Sequence, residues 1–181
     1  MDLTVQMGGP YEVDHSVHFR ESAMTRLQNG QVFPAFNVSA VGGGTISIAQ
    51  SLQGSYGVVL FYRGAWCPYC QAQLGGFQRA SERLAAAGIK VVALSVDDEA
   101  TTVGTIEKFK LSFPVGHSAG ADKVASITGA YTNESPRYLQ ATGFLLAPDG
   151  NILNAVYSSG PLGRLVAEDV IGMIAYLKSN A

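Results

Sequence analysis

Cysteine is scarce in this chain. There are two in 181 residues, Cys67 and Cys70. That scarcity excludes a scaffold built on disulfides. Histidine is nearly as scarce: His15, His18 and His117 are the full set. A zinc site needs four ligands, so a Cys-X-X-Cys half-site here lacks its other half, and no metal is expected. His15 and His18 sit in a stretch without convincing helical periodicity and read as surface histidines. Charge is thin as well, 14% of residues against about 25% in an average domain. With a net charge of −2 and no basic stripe, nucleic acid is not an expected partner. So little surface charge is compatible with a homodimer that hides part of the surface. No apolar run approaches the roughly 20 residues that span a membrane, so no membrane association is expected. Met1-Asp2-Leu3-Thr4 opens no basic-then-apolar signal, which makes a reducing cytoplasm the expected location. There is no phosphate-binding glycine loop, so nucleotide binding is not expected either.

What is present centres on Tyr62-Arg63-Gly64-Ala65-Trp66-Cys67-Pro68-Tyr69-Cys70. Val58 to Tyr62 is a β-branched and aromatic run that reads as a buried strand. Gln71 to Ala87 reads as a helix, with Gly75-Gly76 marking either a kink or a close packing contact. The cysteines therefore stand where a strand ends and a helix begins. Cys67 falls near the N-cap, and Pro68 takes the first helical position, where a missing N–H costs nothing. The unpaired N–H groups of the first turn and the helix dipole favour a thiolate at Cys67. Arg63 adds positive charge nearby. A cysteine in that setting has a lowered pKa and is nucleophilic at neutral pH. Cys70 lies one turn on, on the same face, placed to attack a mixed disulfide at Cys67. Cys67 is expected to be the more exposed of the two. A purely structural bridge is the weaker reading, because so short a loop removes little chain entropy.

Strand, then Trp-Cys-Pro-Tyr-Cys, then helix resembles the thioredoxin superfamily. The wider string from Phe61 to Cys70 resembles its redoxin branch, the alkyl hydroperoxide reductase and thiol-specific antioxidant (peroxiredoxin-like) family. The likeness covers roughly residues 30 to 181. It implies an α/β fold, with a central mixed sheet between helices and an N-terminal hairpin. It also implies an attacking cysteine at Cys67 and a partner cysteine at Cys70, with no bound cofactor. Typical peroxiredoxins carry Thr or Ser three residues before the attacking cysteine. Gly64 stands there in this chain, and no proline lies between Val58 and Trp66. That departure tilts the expectation toward disulfide exchange and away from efficient peroxidase chemistry. By the same resemblance, Ala141 takes the place of the cis-proline that faces the cysteines in thioredoxins. A cis bond before a non-proline residue costs about 2.5–4 kcal/mol, so Gln140–Ala141 is expected to be trans.

Along the rest of the chain, residues 1 to 29 form a mixed-polarity lead, and the domain pattern runs over 30–181. A chain begun at Met24 is expected to keep its fold. Phe33 to Ala40 looks extended, Val41 to Thr45 is a turn, and Ile46-Ser47-Ile48 is a return strand or the start of a short helix. Ile89 to Val96 is a second buried strand. Asp97-Asp98-Glu99 caps a helix reaching about Lys110. Gly116-His117-Ser118-Ala119-Gly120 matches the serine nucleophile elbow, but no histidine follows Ser118, and a glycine-rich loop is the expected reading. Tyr131 to Gln140 reads as a loop. Two strands then flank a turn at Ala147–Asn151, and a last helix runs from about Leu162 to Lys178.

The favoured function is thiol–disulfide oxidoreduction through the two cysteines. A thiol-dependent peroxidase and a non-catalytic interaction module on the same fold are the competing readings. Arg63, Trp66, Pro68, Tyr69 and Ala141 are the candidates for contacting substrate, although aromatic packing alone also accounts for Trp66 and Tyr69. The implied partners are a disulfide or peroxide substrate and a thiol electron donor of thioredoxin or glutathione type.

Overall fold

A computed structural model describes residues 26–180. His15, His18, the lead up to residue 25 and the proposed start at Met24 lie outside the described residues. Chain order begins with β1 (Asn37–Ala40), β2 (Thr45–Ser47), α1 (Ile48–Leu52), β3 (Tyr56–Phe61), α2 (Pro68–Arg79), α3 (Ser81–Ala86) and β4 (Ile89–Leu94). It continues with α4 (Glu99–Phe109), β5 (Val115–His117), α5 (Ala121–Thr128), β6 (Thr132–Asn133), β7 (Tyr138–Leu139), β8 (Thr142–Leu146), β9 (Ile152–Tyr157) and α6 (Ala167–Ser179).

Seven strands form one mixed sheet in the order β2-β1-β5-β4-β3-β8-β9, and β6 with β7 makes a separate hairpin. β3 runs parallel to β4, and β4 to β5; β8 is antiparallel to β3 and to β9. This is the expected α/β arrangement, with the β1–β2 hairpin at its start. Because side chains alternate along a strand, β3 feeds both faces of the sheet. Val58, Leu60 and then Tyr62 pack with Leu74, Phe77, Leu84, Val170 and Ile174 beneath α2, α3 and α6. Val59 and Phe61 pack with Ile48, Leu52 and Val124 beneath α1 and α5. On that second face Phe33, Phe61 and Phe144 meet edge to face at 5.1–5.7 Å between ring centres. Each fully buried side chain of this size contributes roughly 1.5–3 kcal/mol. A strand buried on both faces fixes where its C-terminal end points, and the cysteine motif leaves from that end.

One open alternative is decided and three expectations need correction. Of the two readings of Gly75-Gly76 the kink does not hold, because the active-site helix does not break there. It breaks at Ala80 (φ −91°, ψ 4°), which separates α2 from α3. Gly75 is packed instead: a Cβ there would stand 3.3 Å from Arg79 Nη1 and in ordinary contact, 3.7 Å, with the Phe109 ring of α4. The stretch after Phe113-Pro114 is not only a loop. It holds β5, whose Gly116 lets β1 approach so closely that a Cβ would overlap Val38 Cγ2. Tyr131 to Gln140 contains the β6–β7 hairpin. The last helix starts at Ala167 rather than Leu162, so residues 158–166 are a loop lying over the cysteines.

Candidate active site

Chain geometry places the cysteine motif before any side chain is considered. The strand interaction outlasts β3 by one residue, with Tyr62 N–H donating to Leu94 O at 3.1 Å. The backbone then turns, and Cys67 N–H donates to Gly64 O at 3.1 Å. Gly64 has φ +150°, and a Cβ there would stand 2.5 Å from Trp66 Nε1. Asp97, just past β4, accepts from Ala65 N–H at 2.8 Å and from Ser95 Oγ–H at 3.0 Å. Gln71 Nε2 donates to Ala65 O at 2.6 Å. The loop is thus bolted from two sides. Asp98 alone is the N-cap of α4, accepting from Thr101 N–H at 2.8 Å; Asp97 holds the cysteine loop, a role the acidic triplet did not disclose. Replacing Asp97 by Ala strands two donors and is expected to lower stability by about 1–3 kcal/mol. Urea unfolding measures this, and an unchanged midpoint would refute the role.

Cys67 is the N-cap of α2 and Pro68 the first helical residue. The Cys67 sulfur accepts from Cys70 N–H at 3.4 Å. Arg63 Nη1 lies 3.9 Å from Cys67 Sγ, and Arg164 Nη2 lies 3.8 Å from it. Cys70 Sγ accepts from Arg63 N–H and from Arg164 Nη2, each at 3.3 Å. Both cysteines are free thiols. Burial pushes the Cys67 thiol up, but hydrogen bonds from Cys70 and the charges of Arg164 and Arg63 outweigh it, so its pKa is lowered. Cys70 is pushed up to about 11, by burial first and by its proton-sharing with Cys67 second. The two thiols are therefore set apart in acidity, in the order the helix position calls for.

The expected difference in exposure is not there. Cys67 is 0% exposed and Cys70 1%. Cys67 lies within reach of the two guanidinium groups and inside a rim of Trp66, Pro68 and Tyr69, with Trp66 56% and Tyr69 50% exposed. Arg63 is fixed by Tyr138, whose hydroxyl accepts from Nη2 at 2.8 Å, and its guanidinium stands 4.8 Å from the Trp66 ring centre. Tyr138 belongs to β7, in the stretch read as a loop. Ala141 is buried, and its carbonyl accepts from Ser158 N–H at 3.0 Å. The Gln140–Ala141 bond is trans; the cis peptide among the described residues is Ser135–Pro136.

Arg164, like Asp97 and Tyr138, is a site residue that sequence reasoning missed. It lies 97 residues from Cys67 and was placed inside a helix. The Ser158-Ser159-Gly160-Pro161-Leu162-Gly163 run before it is a turn signal that would have removed it from the helix. Ser158 Oγ ties this loop to Gly160 and to the Leu162 carbonyl, and Gly163 takes φ 76°.

Ser118 does sit between a strand and a helix, at φ 50°, and the preceding His117 reaches it with Nδ1 3.0 Å from Oγ. Yet Ser118 N–H donates to Asp97 O at 2.7 Å and Ala119 N–H to Ser95 O at 3.0 Å. The N–H of Ala119, the donor that an elbow offers to an oxyanion, is thus spent on the segment that follows β4. Its service here is to hold the segment that carries Asp97.

Comparison with known proteins shows what the chain is similar to. A thiol-disulfide oxidoreductase, ResA, of Bacillus cereus is 27% identical over 133 residues, covering 72% of this chain and 70% of that protein. A peroxiredoxin of Treponema denticola is 26% identical over 158 residues, covering 83% and 74%. The crystal structure of peroxiredoxin 6 of Arenicola marina superposes with a TM-score of 0.74 at 20% identity, over 84% of this chain and 74% of that one. Residues 29–155 match the family model, and with the thioredoxin-type sheet beneath them they make this chain a member of the AhpC/TSA family.

Proposed function

We propose that the protein is a thiol–disulfide oxidoreductase in which Cys67 attacks and Cys70 resolves. The observation that carries this reading is the Cys67 sulfur at the start of α2, accepting from Cys70 N–H at 3.4 Å with two guanidinium groups within 3.9 Å. Every one of these contacts favours the thiolate. The thiolate attacks one sulfur of a substrate disulfide, forms a mixed disulfide, and releases the other half as a thiol. Cys70 then attacks Cys67 Sγ, the second half departs with the proton that Cys70 gives up, and a Cys67–Cys70 disulfide remains. Substrate gains two electrons and the dithiol loses two. A thiol donor of thioredoxin or glutathione type returns the pair to the reduced state. The exposed Trp66, Pro68 and Tyr69 form the surface that substrate meets first.

A peroxidase reading has one specific support. The N–H groups of Arg63 and Arg164 at the sulfur can stabilise charge on a departing peroxide oxygen. Against it, Gly64 supplies no hydroxyl where peroxiredoxins typically place one. Relatives carrying each name are found at nearly equal identity. The test offers the reduced protein hydrogen peroxide and an oxidised dithiol peptide in separate reactions, each coupled to regeneration by a thiol donor. Disulfide turnover is expected to be the faster. Rapid peroxide consumption with slow disulfide turnover would reverse the assignment, and inertness toward both would leave a non-catalytic module.

A further inference from the structure

Gln73 on α2 is buried, and it grips the 158–166 loop at two points. Its Oε1 accepts from Arg164 Nη1 at 2.9 Å, and its Nε2 donates to Leu165 O at 2.9 Å. Arg164 Nε is also engaged, donating to Pro161 O at 2.9 Å. Only Nη2 of Arg164 faces the sulfurs, closer to Cys70 (3.3 Å) than to Cys67 (3.8 Å). Cys67 has a second guanidinium, that of Arg63; among the described residues the sole guanidinium in contact with Cys70 is Arg164.

We propose that Arg164 is a catalytic residue of the second step, the group that makes the buried Cys70 competent to resolve the mixed disulfide, and that Gln73 positions it. This rests on the dithiol reading above. In the reduced protein one guanidinium is shared between two sulfurs, and Cys70 keeps its proton. Burial holds that proton, and so do the hydrogen bond and the charge of Cys67. Tyr62, also packed nearby, is pushed up to about 12 by burial and adds no anion. Once Cys67 Sγ is bonded to substrate sulfur it carries no charge. Two of the three influences that raise Cys70 then vanish, and Arg164 Nη2 serves Cys70 alone beside the Arg63 N–H. The first chemical step thereby activates the second. Cys70 gives its proton to the departing thiolate, its electron pair forms the bond to Cys67 Sγ, and the Cys67–substrate bond breaks. Before substrate arrives, the same linkage keeps Cys70 from competing with Cys67.

The two steps separate with 4,4′-dithiodipyridine, an uncharged disulfide that releases one chromophore on attack by Cys67 and a second on resolution by Cys70. Stopped-flow absorbance of the full chain near neutral pH is expected to show both phases. Arg164→Gln should slow the second phase about ten-fold, slow the first by a clearly smaller factor because Arg63 still faces Cys67, and move the pH midpoint of the second phase upward. Arg164→Lys should recover part of the second rate. Gln73→Leu should slow the second phase less than Arg164→Gln does, with Arg164 still present. Equal slowing of both phases, or an unchanged second phase in Arg164→Gln, would overturn the proposal. Circular dichroism and thermal melts of each variant identify a folding defect, in which case Arg164→Lys and Gln73→Leu carry the test: absence of any selective effect on the second phase in both refutes it. A wild-type protein with no Cys67-dependent first phase would instead overturn the oxidoreductase reading itself.

Discussion

Replacing Cys67 by Ser is expected to abolish turnover, with a loss of about three orders of magnitude or more, because the one remaining thiol, Cys70, cannot both attack and resolve. Cys70→Ser should behave differently. It keeps the attacking sulfur and its guanidinium neighbours, so the first chemical step survives and a mixed disulfide accumulates on Cys67, visible as a mass adduct. The pH dependence follows from the two opposed shifts. A thiol reacts as its thiolate, so alkylation slows as pH falls through the pKa of the reacting group. For Cys67 that fall should come below its ordinary thiol value, since its pKa is lowered by the hydrogen bonds from Cys70 and the charges of Arg164 and Arg63. Cys70 should add to alkylation only as pH approaches its own value of about 11. Neither cysteine has exposed surface, so this selectivity comes from acidity: burial and the hydrogen bond of Cys67 hold the Cys70 proton, while hydrogen bonds from Cys70 and the guanidinium charges favour the Cys67 thiolate. Finding Cys70 as the first residue alkylated would refute the assignment of roles.

Gly64→Thr restores the hydroxyl that peroxiredoxins typically carry at this position, yet it is expected to damage the protein rather than convert it. The backbone at 64 takes φ +150°, which L side chains rarely adopt, and leaving such a conformation strained costs about 1–3 kcal/mol. The new Cβ would also stand 2.5 Å from Trp66 Nε1 and 3.0 Å from Asp97 Oδ1. Overpacking of that kind costs about 1–3 kcal/mol more. Relief requires Trp66 to leave Arg63 and Tyr138, or Asp97 to release Ala65. Either movement disturbs the loop that sets Cys67. A lower unfolding midpoint together with slower Cys67 alkylation is the expected result. A stable variant with raised peroxide turnover would show that the glycine is incidental.

The parts of the site legible in the sequence are those made by neighbours in the chain. Strand, proline and cysteine spacing placed Cys67 at a helix start because N-cap geometry is local. The double-faced burial of β3 followed from an unbroken apolar run. What escaped depended on pairs far apart. Arg164 meets Cys70 across 94 residues, Asp97 meets Ala65 across 32, and Tyr138 meets Arg63 across 75. No local pattern marks an arginine that will lie over a sulfur. The three residues of β5 carry too little periodicity to stand out, and they pair only because Gly116 admits Val38. Gly75-Gly76 left a kink and a close contact equally open, because glycine's local cost fits either, and only the neighbours of Gly75, Arg79 and Phe109, decide between them.

The cysteines lie between two layers held by different kinds of bond. Below them, the amide protons of Tyr62 and Cys67 are given to backbone carbonyls, and that of Ala65 to the carboxylate rooted at the end of β4. Exposing the Tyr62 proton means parting the strands at the centre of the sheet, so its exchange with deuterium should be governed by openings near the full unfolding free energy, while those of Ala65 and Cys67 need the cysteine loop to open. Above them, the 158–166 loop is fastened largely through the side chains of Ser158, Gln73 and Arg164. Its amides should exchange orders of magnitude sooner, through small local openings. A bulky disulfide can then reach a sulfur that shows no surface at rest, while the geometry that gives that sulfur its acidity stays in place.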